Sequence, residues 1–156
     1  MRIFKSLAAS NRNIIIAIES SCDDACLAIM NSRNKIIHEY KCSQKVLHQP
    51  FGGIVPQLAA QAHRNFFQKI MSEDLIQKYF KLNRVKCVAV TSGPGIGSCL
   101  NVGFEFASQL SRSNDVPLVK MNHLVTKFYF IAFYFFSWAI YLVLIKMLKS
   151  FSRGFL

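Results

Sequence analysis

Residues 14–29 read IIIAIESSCDDACLAI, and they contain two apolar runs separated by a short polar turn. The first run, residues 14–18, is rich in β-branched side chains, which favour a buried strand. The turn, residues 20–24, consists of residue types that commonly form tight loops. The second apolar run, residues 25–30, follows at once and predicts a return strand. We therefore expect the domain to begin with two neighbouring strands joined by a tight loop.

Two adjacent carboxylates, Asp23 and Asp24, lie in this turn beside Ser20, Ser21 and Cys22. Carboxylates at the end of a buried strand are costly unless a cation, a phosphate-bound metal ion or backbone donors meet their charge. An ordinary solvated hairpin turn is the simpler interpretation, because Ser and Asp are common turn residues. The loop by itself is therefore only a candidate site.

The charge of the chain is unevenly distributed. The 156 residues suffice for one domain with its own core, and the formal net charge is +11. Residues 1–13 and residues 128–156 each carry three basic side chains and no acidic one, which leaves thirteen basic and eight acidic side chains between them. This excess favours a polyanionic partner such as RNA, and a mildly basic solvated surface is an equal interpretation.

The cysteines do not form a recognisable framework. There are five, an odd number, and none forms a C-x-x-C pair. Without a secretory signal, this pattern indicates reduced thiols and not a disulfide framework or a zinc site. The five are Cys22, Cys26, Cys42, Cys87 and Cys99.

The N-terminus, residues 1–13, reads MRIFKSLAASNRN and combines basic, hydroxyl and small apolar side chains. This composition is typical of a mitochondrial presequence, and it lacks the long apolar segment of a secretory signal. A basic terminus without a targeting role is the alternative. We predict a mitochondrial location.

Strand-like and helix-like patterns alternate along the chain as far as residue 121. A third strand over residues 35–43 would complete an antiparallel meander, and QPFGG at residues 49–53 is expected to break the pattern. Within the first helix, His63 is expected to be half-buried and satisfied, and it becomes a site candidate only if its helix end faces the loops. The other predicted elements are a helix beginning at Pro56, a helix beginning near Ser72, a strand over residues 85–91, a helix over 100–110 and a strand over 118–121.

A glycine-rich turn, SGPGIGS at residues 92–98, separates a predicted strand from a predicted helix. Backbone N–H groups in such a turn can bind an anion, although a purely structural tight turn is equally compatible with the sequence. The turn is neither a Walker loop nor a G-x-G-x-x-G motif. Asn122 and His123 follow the last strand, at the end where open α/β sheets bind ligands.

Four segments, in this order, resemble the threonylcarbamoyladenosine tRNA synthases: IESSCDDACLAI, GGIVPQLAAQAH, AVTSGPGIGSCLNVG and VPLVKMNHL. This TsaD/Gcp family was once called the O-sialoglycoprotein endopeptidases, and its organellar members fit the N-terminus best. The resemblance covers about residues 14–124. It implies an α/β fold, the N-terminal lobe of the actin/Hsp70/sugar-kinase (ASKHA) architecture, with a mixed sheet and packed helices. It also implies transfer of threonylcarbamoyl from threonylcarbamoyl-AMP to the N6 amine of the tRNA adenosine next to the anticodon.

The resemblance implies site residues on two loops. Ser21, Cys22 and Asp23 match the family's first-hairpin loop, near the adenylate and the metal, and Asp23 is the candidate catalytic residue that would help to orient the adenylate. The matches in the substrate-binding glycine loop and the helix that follows are Gly93, Pro94, Gly95 and Gly103.

A divalent metal ion, iron or zinc, is also implied by the resemblance, and it would stabilise charge that develops on the carbamoyl group. His123 matches the first His of the family's H-x-x-x-H motif. The second position is Lys127, which cannot replace a neutral imidazole while it is protonated. The family's third ligand, an Asp in the second lobe, has no counterpart in this sequence, and Gln57 stands where many members have Glu. We therefore expect the chain alone to be inactive.

The apolar tail is a separate feature. Residues 128–145, FYFIAFYFFSWAIYLVLI, carry no charge and just reach the length of a membrane span. A helical membrane anchor is one interpretation. Translated A/T-rich non-coding sequence is the other, such as a retained intron beginning at Val125, because every Val codon begins with GT. The predicted divisions are thus residues 1–13, 14–124 and 125–156.

Two alternatives to a truncated transferase belong to other classes. One is a non-catalytic interaction lobe, which would pair with a full-length copy as a dimer or with a tRNA-modification partner. The other is a small protein anchored in a membrane through residues 128–145. Proteolysis has little support, because HLVTK at residues 123–127 lacks the second His and the acid of a zincin motif.

Overall fold

A five-stranded mixed sheet forms the centre of the computed structural model, which describes residues 13–33, 35–72, 74–81 and 83–125. The strands are β1 (Ile14–Glu19), β2 (Asp24–Asn31), β3 (Ile36–Ser43), β4 (Val85–Gly93) and β5 (Leu118–Asn122). The helices are α1 (Lys45–His48), α2 (Pro56–Met71), α3 (Asp74–Lys81) and α4 (Gly97–Ser113), with a 3₁₀ turn at Gln49–Phe51 between α1 and α2.

The strand order in the sheet is β3-β2-β1-β4-β5. The first three strands form an antiparallel meander, in which Ile16 of β1 lies opposite Ile29 of β2. β1 pairs in parallel with β4, and β4 pairs in parallel with β5. The carboxyl ends of β1, β4 and β5 therefore lie at the same edge of the sheet.

The core is built from alternate strand residues and from the apolar sides of α2 and α4. On β1, Ile14, Ile16 and Ile18 are at most 3% exposed, as the two-residue period of a strand requires. Phe67 of α2 and Phe106 of α4 stack with their ring centroids 4.7 Å apart. Because α4 packs against both α2 and β4, its N-terminus is held beside the carboxyl end of β4.

The predicted α/β fold class is confirmed: the lobe has a mixed sheet with packed helices. All five predicted strands are present, and so are the three long helices. α4 begins at Gly97 and not at residue 100, since the residues that end the glycine-rich turn also form the first helical turn. The second predicted helix, α3, begins at Asp74, because Ser72 ends α2.

Two expectations require correction. The residues after β3 form α1 and a 3₁₀ turn, where the sequence predicted only a break. Pro50 fits the first turn of the 3₁₀ segment, and Gly52 closes it at a φ of +65°. His63 is fully buried, not half-buried, because α2 packs its second turn against the loop that follows β1.

Among the residues that the structure describes, every helix is too short or too polar to cross a bilayer. The predicted span at residues 128–145 lies outside the described residues, as do Lys127 and residues 1–12 of the predicted presequence.

Candidate functional site

Polar side chains from distant parts of the chain meet where the carboxyl ends of β1, β4 and β5 come together. We call this the site edge. It includes the hairpin loop (residues 20–23), the glycine loop (residues 94–96) and His123, which directly follows β5. In sheets of this kind, ligands bind outside the carboxyl ends of the strands.

Glu19, the last residue of β1, is at the centre of the polar contacts. Its Oε1 accepts a hydrogen bond of 2.7 Å from the Ser21 backbone N–H, and its Oε2 accepts a bond from the Thr91 hydroxyl. The Nδ1 atom of His123 lies 3.2 Å from Glu19 Oε2 and 3.2 Å from Ser21 Oγ. One carboxylate thus connects the ends of all three parallel strands.

The Glu19 carboxyl is held in its ionised form. Burial alone would raise its pKa, but hydrogen bonds from Ser21, Thr91 and His123 outweigh burial and leave the pKa below its ordinary value. Glu19 is therefore a carboxylate at neutral pH and can accept the Nδ1 proton of His123. With the proton on Nδ1, the imidazole keeps a lone pair on Nε2.

The glycine loop packs directly on the hairpin loop. The Ile96 N–H donates to the Ser21 carbonyl at 2.7 Å, and a Cβ atom at Gly95 would lie 2.8 Å from the Ser21 Cβ and overlap the Ser21 carbonyl oxygen. Gly93 has a φ of +142°, which side chains rarely permit. Glycine at position 95 is therefore what allows the two loops to come into contact.

A second contact continues along α4. The Ser20 hydroxyl is buried and donates to the Cys99 carbonyl at 3.0 Å. A Cβ atom at Gly103 would lie 3.0 Å from the Ser20 Cβ and would overlap the Ser20 hydroxyl. The first two turns of α4 are thus fitted closely to the end of β1.

Comparison with known proteins identifies the family. The sequence model described as "TsaD: tRNA N6-adenosine threonylcarbamoyltransferase" matches residues 35–134, more than half of the chain. The chain belongs to this family. The predicted TsaD/Gcp resemblance is thereby confirmed.

Curated relatives with the same description match most of this chain, and each of them is much longer than this chain. The tRNA N6-adenosine threonylcarbamoyltransferase of Campylobacter curvus is 41% identical over 117 residues, 74% of this chain and 33% of that protein. Those of Nautilia profundicola and Rickettsia massiliae are 40% and 37% identical and are covered to 35% and 32%. The chain thus spans about a third of the length of these TsaD relatives.

Solved structures give weaker likenesses. YeaZ from Pseudomonas aeruginosa has a TM-score of 0.47 at 16% identity, over 70% of this chain and 43% of that one. Thermus thermophilus RuvC, in complex with a Holliday junction substrate, has a TM-score of 0.48 at 10% identity, over 76% of this chain and 69% of that one. Likenesses at this level carry no information on function.

The structure brings most of the predicted TsaD site residues to the site edge. Ser21 contacts His123 directly, Cys22 is next to Ser21 on the hairpin loop, and the glycine loop lies against Ser21. Asp23 lies on the same loop, and no hydrogen bond joins it to the Glu19–His123 cluster. Gly93 ends β4, and Pro94 and Gly95 begin the glycine loop.

Asp24, the second carboxylate of the turn, has a structural role. It pairs with Lys41 of β3 at 3.0 Å, and this partner lowers the pKa of Asp24. The adjacent acids of the turn thus have different surroundings, and the charge of Asp24 is neutralised at the surface.

Glu19 and Thr91 are the site residues that sequence reasoning missed. Each is a polar residue at the carboxyl end of an apolar strand, Glu19 on β1 and Thr91 on β4. This position in an α/β sheet was the available signal. Their contact spans 72 residues of sequence, so the pairing itself could not be read from spacing.

The metal ion expected for TsaD proteins is only partly accommodated by the described residues. His123 is suited to the role, since a carboxylate on one ring nitrogen commonly orients a metal-binding imidazole. Within residues 13–33, 35–72, 74–81 and 83–125, however, no three His, Cys, Asp or Glu side chains come together as ligands. The donor set therefore does not make a complete metal site, and we assign no chemical step to a metal.

Proposed function

We propose that this chain supplies the adenylate-binding side of the N-terminal lobe of a tRNA N6-adenosine threonylcarbamoyltransferase. The observation that carries the proposal is the meeting of the hairpin loop, the glycine loop and His123 at one sheet edge. Family membership supports it, because the loops that form this edge are the ones that match the family motifs.

The glycine loop is suited to the phosphate of threonylcarbamoyl-AMP. It leads into the N-terminus of α4, a helix of 17 residues, where N–H groups and the helix dipole favour an anion. Gly95 leaves the loop backbone uncovered by a side chain, and Asp23 is on the neighbouring hairpin loop. In our proposal, these two loops hold the adenylate, and Glu19 orients His123 toward the reacting end.

The proposed reaction is an acyl transfer. The N6 amine of the tRNA adenosine attacks the carbamoyl carbon, a new C–N bond forms, the bond from that carbon to the phosphate oxygen breaks, and AMP leaves with the electron pair as the amine loses a proton. Only one imidazole is available at the described site to assist this step. We therefore expect the 156-residue polypeptide to bind threonylcarbamoyl-AMP without turning it over.

Calorimetric titration of the full chain with threonylcarbamoyl-AMP tests the binding part of the proposal. Gly95→Ala should weaken binding at least about tenfold, because the added Cβ separates the two loops and misplaces the N–H donors. Gly53→Ala is the matched control, since a Cβ there meets nothing within 4 Å and Gly53 lies outside the two loops, and it should bind like the wild type. A folded wild-type chain that does not bind would contradict the proposal.

Nucleoside analysis of tRNA after incubation with the polypeptide and threonylcarbamoyl-AMP tests the second part. We expect no modified adenosine above a reaction without protein. Measurable turnover by the purified polypeptide would show that these 156 residues suffice for catalysis and would contradict the expected inactivity.

We also propose that residues 1–13 direct the chain to mitochondria. The support is their basic, acid-free composition. Fusion of these residues to a fluorescent protein should give mitochondrial fluorescence, and replacement of Arg2, Lys5 and Arg12 by Gln should abolish it. A diffuse signal from the unchanged fusion would contradict this location.

A further inference from the structure

A buried chain of polar side chains contacts the backbone of the hairpin loop. His63 Nε2 lies 2.9 Å from the Cys22 carbonyl oxygen, and His63 Nδ1 lies 3.1 Å from Gln44 Nε2. Gln44 Oε1 lies 3.1 Å from His48 Nε2, and Gln44 Nε2 also reaches the Ala59 carbonyl at 3.3 Å. We call His48, Gln44 and His63 the histidine network, and all three are at most 5% exposed.

The direction of every hydrogen bond in the histidine network is determined at its two ends. The Cys22 carbonyl can only accept, so the Nε2 atom of His63 carries the proton. The Val55 N–H can only donate, and it points to His48 Nδ1 at 3.4 Å, so the Nε2 atom of His48 carries the proton. Gln44 then accepts from His48 through Oε1 and donates to His63 through Nε2. One assignment satisfies all the groups with both imidazoles neutral.

This arrangement fixes a peptide unit of the site. A peptide group is planar, so holding the Cys22 carbonyl against His63 sets the orientation of the whole Cys22–Asp23 peptide. Ser21, one residue earlier, makes the contacts to Glu19 and His123. A change at His63 would therefore be transmitted to the hairpin loop through a single hydrogen bond.

We propose that His63 is a positioning residue for the adenylate-binding loop, and that Gln44 and His48 hold it in the tautomer that donates to Cys22. The substrate role of the loop rests on the proposed function above. The network joins three segments that come from different parts of the chain: α1 with its N-cap Gln44, the first turns of α2 and the hairpin loop that follows β1. It connects residues 45–55, most of which are exposed, to the site through buried hydrogen bonds.

The tautomer is tested by the ring ¹⁵N shifts of His63 in the full chain. The wild type should show Nε2 protonated and Nδ1 carrying a lone pair. Gln44→Glu replaces the amide donor by an acceptor of the same shape, so Nδ1 should become protonated. A wild-type ring protonated only on Nδ1, or a ring that Gln44→Glu leaves unchanged, overturns the proposal.

Positioning is tested by hydrogen exchange at the Ser21 and Ile96 amides, which report on the contacts of the hairpin loop. His63→Phe removes the donor and should accelerate their exchange at least about tenfold, while His63→Gln, which can still donate, should restore much of the protection. His38→Phe, at an exposed histidine of β3, is the matched control and should change neither amide. Unchanged exchange in His63→Phe overturns the positioning role.

Titration with AMP separates this inference from the proposed function. A wild-type chain that does not bind AMP or threonylcarbamoyl-AMP contradicts the proposed function, whereas the tautomer and exchange experiments need no ligand. If the wild type binds AMP, His63→Phe should weaken binding by about the factor seen in exchange, and His63→Gln should recover it. Faster exchange with unchanged affinity overturns the assignment of His63 to substrate positioning. If His63→Phe does not fold, the smaller His63→Ala, which also lacks the donor to the Cys22 carbonyl, supplies the same comparison.

Discussion

At the scale of single residues, Glu19 contributes more polar contacts to the site edge than Asp23 and Asp24 of the predicted turn. Its two oxygens contact the Ser21 N–H, the Thr91 hydroxyl and the His123 ring. Asp24, by contrast, is used in a surface pair with Lys41. A carboxylate with several donors is structurally valuable because each donor would otherwise need another partner.

Replacing Glu19 by Gln should lower the free energy of unfolding by about 1 kcal/mol at pH 7, a value that allows for its partial exposure. Since the folded-state pKa of Glu19 lies below the ordinary value of 4.5, the unfolded chain takes up this proton first as the pH falls. The stabilisation is therefore present above pH 4.5 and is lost below it. Urea unfolding of the wild type and of Glu19→Gln at pH 7 and at pH 3.5 measures the loss of unfolding free energy at each pH. Glu39→Gln, at an exposed residue of β3, is the control. An equal loss at both pH values would contradict the role of the charge.

His63 gives a second pH dependence in a different window. Burial lowers the pKa of its imidazole from the ordinary 6.5, so the unfolded chain binds a proton before the folded chain does. Stability should be complete above about pH 6.5 and should fall as the pH is lowered, by up to about 1.4 kcal/mol per pH unit. Unfolding curves between pH 7 and pH 5 should show this slope in the wild type and a smaller one in His63→Gln. The same slope in both proteins would rule out His63 as its source.

At the scale of elements, the contact between β1 and α4 decides the geometry of the site. The hairpin loop and the glycine loop touch through backbone atoms, and Gly95 and Gly103 are at the two points where a side chain would intervene. Well-packed contacts of this type tolerate added atoms poorly, because backbone has to move to accept them.

Gly95→Ala should therefore lower the free energy of unfolding by about 1–3 kcal/mol. Gly97→Ala should be neutral or slightly stabilising, since its Cβ is in open space and Ala is the better helix residue. Thermal and urea unfolding of the two variants give a direct comparison. Equal stability of the two variants would show that the loops can separate at no cost.

The strands and helices could be predicted from the sequence, but the contacts between them could not. Alternating and continuous apolar runs identified all five strands, because burial imposes a local two-residue period. The Glu19–His123 contact joins residues 104 positions apart, and it depends on which strands become neighbours. The burial of His63 likewise depends on where α2 lies on the loop after β1. Family motifs located the two loops, but not Glu19 or the histidine network.

At the scale of the whole molecule, one core beneath the sheet holds the site edge in place. α2 and α4 meet through the stacked rings of Phe67 and Phe106, and α4 packs on β4. Loss of this packing would free the N-terminus of α4 from the end of β4, so stability and site geometry depend on the same contacts.

Phe106→Ala should lower the free energy of unfolding by about 3–5 kcal/mol, because it removes a buried ring and leaves a cavity against Phe67. Phe51→Ala, at a ring that is 59% exposed in the 3₁₀ turn, should change it by less than about 0.5 kcal/mol. Chemical denaturation of both variants measures the difference. A small effect at Phe106 would mean that the two helices repack without their stacked rings.

The strand order also has a consequence for the route by which the chain folds. β1, β2 and β3 are consecutive in sequence and pair as a meander, so their contacts close short loops. β4 must return across α2 and α3 to pair with β1, and β5 joins later still; such long-range pairings are slow to form. φ-value analysis with Ile29→Val and Val90→Ala should give the higher value at Ile29, and the reverse order would contradict this route. During synthesis the meander can form while the glycine loop is still in the ribosome, and the site exists only after His123 has emerged.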